Sequence, residues 1–126
     1  MAEITTIHTD NAPAAIGPYS QAKVVGDFVF TSGQIAINPA VGKIESDTIE
    51  GQTEQVMKNL TNLLEAAGSS MDKAIKTVCF LKNMSDFATF NGIYANYFTT
   101  KPARSCVAAA DLPAGALVEV EVIAVK

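Results

Sequence analysis

Tryptophan is absent from this chain of 126 residues, histidine occurs once and cysteine twice. The lone histidine, His8, lies near the N-terminus and leaves a Ser/His or Cys/His nucleophilic pair very little to work with. Cys79 and Cys106 are far apart, so there is no Cys-x-x-Cys pair, and neither His-x-x-x-His nor a cluster of aspartates occurs. Metal-ligand spacing is therefore missing, and no metal site is expected. The two cysteines read as free thiols of a cytoplasmic protein rather than as a disulfide. Neither GxGxxG nor a GxxxxGKS/T run is present, so no nucleotide cofactor is expected and any activity is cofactor-free.

Charge is scarce as well. Charged residues make up 17% of the chain, against about 25% in an ordinary soluble domain. The net charge is −4, and the nine basic residues are spread along the sequence. Without a cluster of Lys and Arg there is no footprint for nucleic acid, nor for an anionic membrane surface. No apolar run is long enough to cross a bilayer, and Met1–Thr6 lacks the basic-then-apolar order of a signal peptide. Apolar residues nevertheless reach 48%. The length suits one domain spanning residues 1–126, with apolar surface left over to meet another chain.

What is present is a change of period along the chain. Residues 22–33 read as two short strands around Gly26-Asp27, a hairpin signal. Asn38-Pro39 and Gly42 mark a loop. From Ile49 to Ala67 the residues Ile49, Val56, Met57, Leu60, Leu63, Leu64 and Ala67 recur at helical spacing. Asp47 and Glu50 suggest a capping box at its start, and Gly68 a stop. Ala74–Lys82 reads as a strand. A second helix, capped by Ser85 or Asp86, buries Phe87, Phe90, Tyr94, Tyr97 and Phe98. Arg104–Ala109 and Leu117–Val125 are the closing strands. Two amphipathic helices need a sheet to lie on, which gives a two-layer sandwich. In the last strand Val118, Val120, Val122 and Ala124 share the face beneath the helices. Glu119, Glu121 and Ile123 share the other, which two helices cannot cover and which a second subunit is expected to meet.

A few polar residues stand in apolar surroundings. Arg104, Cys106 and Ala108 alternate onto one face, and a guanidinium there needs an anion, because an unpaired buried charge is costly. The partner is either Glu119 or Glu121 of the same chain, or the carboxylate of a substrate, which the planar fork of Arg binds through two parallel hydrogen bonds. A partly buried Glu119 beside a reacting centre would suit proton transfer; an exposed one would only solubilise. Ser32-Gly33 ends a strand, where free backbone N–H groups can hold an anion or merely serve a turn. Tyr19 either offers its phenol to a site or packs a loop. Asn91 either faces a cleft or a solvated helix side. Cys106 has no base beside it, so its default role is pocket wall.

Singly these signals are weak; in combination they resemble one family. Gly17-Pro18-Tyr19-Ser20-Gln21-Ala22, Thr31-Ser32-Gly33-Gln34-Ile35, Pro102-Ala103-Arg104-Ser105-Cys106-Val107 and Val118-Glu119-Val120-Glu121 resemble the Rid family of reactive intermediate deaminases, older name YjgF. Asn59-Leu60, Leu64–Gly68 and Asp86–Asn91 are similar to it too, so the likeness covers essentially the whole chain. The resemblance implies a chorismate-mutase-like α+β fold: a mixed six-stranded sheet with two helices on one face, three copies forming a central barrel with a pocket at each interface. It implies hydrolysis of 2-imino acids such as 2-iminobutanoate and 2-iminopropanoate, and of their enamine tautomers, to 2-keto acids and ammonia. Such species arise from pyridoxal-phosphate dehydratases acting on serine or threonine. It further implies that Arg104 holds the substrate carboxylate, and that Tyr19, Ser32, Gly33, Asn91, Cys106 and Glu119 line the pocket. Glu119 with the Cys106 carbonyl would then orient water, Glu119 shuttling the proton while the Gly33 amide and the Tyr19 hydroxyl complete the contacts.

The chain departs from that pattern where an aromatic residue commonly precedes Pro-Ala-Arg. Lys101 stands there, and the connection from Phe98 to Pro102 is short. Both bear on the pocket rim and on substrate preference. Two other functions compete with the deaminase. One is a non-catalytic trimer that binds small carboxylates for regulation, since a fold does not guarantee an activity. The other, an endoribonuclease or translation inhibitor, is opposed by the acidic composition, the single histidine and the lack of a basic stripe.

Overall fold

A computed structural model describes residues 2–126. Strands β2 (Ala22–Val25) and β3 (Phe28–Thr31) form the expected hairpin, with Val25 opposite Phe28. Gly26 takes φ +57°, which a side chain would resist, and so makes the two-residue turn. β1 (Ile4–Ile7) adds to the outer edge of β2, a strand that the hydropathy pattern does not signal because Ile4, Thr5 and Thr6 are all exposed. The segment read as a loop contains a small ribbon, β4 (Ile37–Asn38) with β5 (Lys43–Ile44), turned by Gly42 at φ +82°.

Helix α1 (Ile49–Ala66) begins one residue later than a capping box at Asp47 requires. Thr48 is the cap: its hydroxyl accepts from the Gly51 N–H at 3.1 Å, which puts glycine, not Glu50, at the third helical position. Its far end closes as expected, with Gly68 at φ +83° and the Ser69 N–H donating back to the Leu64 carbonyl. β6 (Ala74–Leu81), α2 (Phe87–Tyr97), β7 (Ala103–Ala108) and β8 (Val118–Val125) complete the chain. Asp86 precedes α2 but its side chain makes no capping bond.

The large sheet runs β1-β2-β3-β8-β6-β7. All its neighbours are antiparallel except β6 and β7, which are parallel because α2 carries the chain back across the sheet between them. The architecture is α+β, a mixed six-stranded sheet with two helices on one face. Between the layers lie Val118, Val120, Val122 and Ala124 of β8, with Val56, Met57, Leu60, Leu63 and Leu64 of α1 and Phe90, Tyr94 and Phe98 from the α2 segment, all buried. Removing a leucine side chain from such a core costs about 2–5 kcal/mol. No helix covers the other face. There Phe30 pairs with Ile123, and Val107 with Phe80, leaving Phe30 42% and Val107 50% exposed. Apolar side chains stay in water on that face of the single chain.

Candidate functional site

The register of the sheet decides where Arg104 points. Arg104 lies beside Thr77 and Cys106 beside Cys79, and both partners are fully buried under the helices. Glu119 lies beside Phe80 and Glu121 beside Val78, on the uncovered face. Alternation along a strand therefore sends the arginine and the two glutamates to opposite sides of the sheet. An internal ion pair between them, open on sequence alone, is excluded. The one contact at ion-pair distance among the described residues, His8 with Asp10, is elsewhere.

Arg104 is instead held by α2. Its Nη1 donates to Asn91 Oδ1 at 2.6 Å, and its guanidinium carbon lies 4.9 Å from the Tyr94 ring centre and 5.3 Å from that of Phe87. Asn91 thus faces inward to the arginine rather than out along a solvated helix side. The rings steady the cation without neutralising it. Tyr94 is fixed in turn, because its phenol and the buried Thr77 hydroxyl are hydrogen-bonded at 2.7 Å. Burial raises the Tyr94 pKa, outweighing the Thr77 hydrogen bond that lowers it. Cys106 follows on the same face. Burial pushes its thiol up, and the nearby Arg104 only partly offsets that. Cys79, deeper, is pushed up to about 12 by burial. Both cysteines are free, and neither is tuned as a nucleophile.

Tyr19, Gly33 and Glu119 gather in a second place. They line a cavity of about 230 Å³ with Gln34, Ile35 and Pro113 among others. The Ser32 N–H and hydroxyl are both engaged, donating to the Gln21 carbonyl at 2.9 Å and the Ser20 carbonyl at 2.6 Å. The Gly33 N–H has no acceptor among the described residues and is free to donate. A Cβ at Gly33 would lie 2.8 Å from Glu119 Cδ, so an added methyl would push that flexible carboxylate aside. Burial raises the Glu119 pKa, and the neighbouring Glu121 charge raises it further. Tyr19 is 54% exposed at the mouth.

The seven residues expected at a site thus fall into two groups. Arg104, Asn91 and Cys106 lie on the helix side of the sheet edge, and Tyr19, Ser32, Gly33 and Glu119 around the end of β3. The family model of endoribonuclease L-PSP matches residues 9–126, nearly the whole chain. The solved structure of YyfA from Yersinia pestis, a protein of the conserved Rid family, superposes with a TM-score of 0.95 at 48% identity, covering 98% of this chain and 100% of that one. The chain belongs to this family. Among curated Rid relatives, the 2-iminobutanoate/2-iminopropanoate deaminase of Escherichia coli K12 is 46% identical over 125 residues, covering 96% of this chain and 97% of the relative. AldR of Lactococcus lactis, which bears a regulator's name, is 55% identical over 119 residues, covering 94% of each.

Sequence reasoning missed the supports of this Rid site. Gln21 is buried; its Oε1 accepts from the Thr9 N–H at 2.8 Å and its Nε2 donates to the Pro13 carbonyl at 2.8 Å, fixing the segment that carries Tyr19. Asn59 of α1 donates to the Ile35 and Ile37 carbonyls at 3.1 and 2.9 Å, fixing the strand end after Gly33. Asn59 sits on the apolar stripe of its helix, and a polar residue at a core position was the available signal.

Proposed function

We propose that this Rid protein hydrolyses 2-imino acids such as 2-iminobutanoate and 2-iminopropanoate, with their enamine tautomers, to 2-keto acids and ammonia. The site is shared between two copies of the chain in a homotrimer. The observation that carries the reading is a cation prepared for an anion it does not have: Arg104 is oriented by Asn91 and two rings, with no acidic partner among the described residues. A planar fork so held suits a small carboxylate. The opposite placement of Glu119 supports a shared site, since Arg104 of one copy and Glu119 of another meet only when the bare face of one sheet is covered by a neighbour. The exposed Phe30 and Val107 favour that burial.

With the carboxylate on Arg104, the protonated imine carbon C2 is the electrophile. Water adds its oxygen to C2 as Glu119 takes a proton, and the C=N π pair moves to nitrogen, giving a carbinolamine. Glu119 returns the proton to nitrogen. The C–N bond then breaks, ammonia leaves, and the C2 hydroxyl loses its proton to become the keto group. The burial that raises the Glu119 pKa brings it nearer neutrality, where one group can both take and return a proton. The Gly33 N–H, the Tyr19 hydroxyl and the Cys106 wall complete the enclosure.

The test couples the protein to a threonine dehydratase and follows 2-ketobutyrate. Faster release than from spontaneous hydrolysis is expected, with sedimentation as three copies of the 13.3 kDa chain. An unchanged release rate overturns the enzyme. The name of AldR favours a second reading, a carboxylate-binding regulator, for which 2-ketobutyrate would bind with no acceleration of hydrolysis.

A further inference from the structure

The cavity beside Arg104 is lined by a second basic residue. It has a volume of about 250 Å³ and is lined by Tyr94, Ala95, Phe98, Lys101, Pro102 and Arg104. Its two charged side chains are both basic, in a chain whose 13 acidic residues outnumber its 9 basic ones. Lys101 makes no ion pair among the described residues.

The backbone at Lys101 is the second observation. Its φ is +56°, in the left-handed region that favours glycine, and it directly precedes Pro102, which narrows the backbone choices of the residue before it. The short connection between α2 and β7 imposes this turn, closed by the Lys101 N–H on the Phe98 carbonyl at 3.3 Å. Glycine would occupy the position with less strain. A strained residue with a charged side chain at the rim of a ligand cavity is the kind that function holds in place.

We propose that Lys101 makes the site selective for dicarboxylic 2-imino acids, a class that rests on the imine-hydrolase reading above. One carboxylate, at C1, lies on the Arg104 fork, and the distal carboxylate, a short methylene chain away, meets the Lys101 ammonium. Two basic residues, with no acid from the chain that supplies Arg104, favour a dianion over a monoanion, and an apolar side chain beside the ammonium would leave that charge without a counter-ion. The reaction is unchanged: water adds at C2, ammonia departs, and a 2-keto diacid results.

The experiment compares imines made in situ by flavin-dependent oxidation of aspartate and of 2-aminobutyrate. It also measures binding of 2-oxoglutarate and 2-ketobutyrate by calorimetry. In the wild type, kcat/KM for the diacid imine is expected to exceed that for the monoacid imine by about tenfold, and the Kd values to differ in the same sense, the effect of one charge-assisted contact. Lys101→Gly, which relieves the backbone and keeps the fold, is expected to bring both ratios near one, and Lys101→Arg to preserve them. Equal ratios in wild type, or ratios untouched by Lys101→Gly, overturn the proposal. If neither imine is accelerated, the hydrolase reading fails while the binding ratio still decides the diacid preference.

Discussion

Arg104→Ala is expected to lower kcat/KM for imine hydrolysis by a hundred- to a thousand-fold. Losing a desolvated charge contact to a carboxylate costs about 3–4 kcal/mol. The loss should fall largely on KM if the arginine only binds, and on kcat as well if it also aligns C2 with the attacking water. Arg104→Lys is expected to recover little of it. An ammonium is a point charge on a flexible stem, and it cannot donate to Asn91 while offering two parallel donors to a substrate. The thermal unfolding midpoint of both variants should fall by no more than several degrees, because Arg104 lies on the edge strand β7 and its ring contacts are worth about 1–2 kcal/mol. Full activity in Arg104→Ala would remove the carboxylate anchor from the mechanism.

Glu119→Gln is expected to reduce kcat by about a hundred- to ten-thousand-fold, the usual range for a positioned proton-transfer group. The pH dependence follows from its raised pKa. As the base, Glu119 must be ionised, so the wild-type rate should fall as pH drops through that raised value, at higher pH than an ordinary glutamate would give. Stability runs the other way. The folded state holds the proton more tightly than the unfolded chain, so stability declines as pH rises from the unfolded pKa through the folded one. Glu119→Gln should therefore be the more stable protein at neutral pH, with its advantage vanishing on acidification. Gly33→Ala tests the same group sterically, since the added methyl would occupy space that the Glu119 side chain now fills. It is expected to match Glu119→Gln in rate without its neutral-pH stability gain. An unperturbed rate in Glu119→Gln argues against Glu119 as the proton carrier.

The layers of this fold were legible because both helices and β8 declare themselves by period. Val118, Val120, Val122 and Ala124 alternate as a strand with one dry face must, and all four are buried. β1 and the β4–β5 ribbon were not legible, since a four-residue edge strand and a ribbon of two residues per strand are too short to set a pattern. The helix start was misplaced by one residue because Asp47, Thr48 and Ser46 are all competent caps, and only the fold chooses among them. At the site, strand alternation put Arg104 and Cys106 together. It also put Glu119 on the uncovered face of β8, but it could not say that Arg104 takes the helix side. That depends on which residues of β6 stand opposite each strand, a register that β6, β7 and β8 settle jointly.

Arg104 and Glu119 leave the sheet on opposite sides, so if the proposed site is shared between copies, a defect in one chain need not disable every site that includes it. Arg104→Ala and Glu119→Gln chains, each inert alone, are expected to regain part of the activity when unfolded and refolded together. Some seams in the mixed assemblies then receive an intact arginine from one parent and an intact glutamate from the other. Mixtures that stay as inert as their parents would place both groups within a single chain's reach. Inheritance follows the same geometry: two different loss-of-function alleles of this short gene could complement one another, where two copies of either could not.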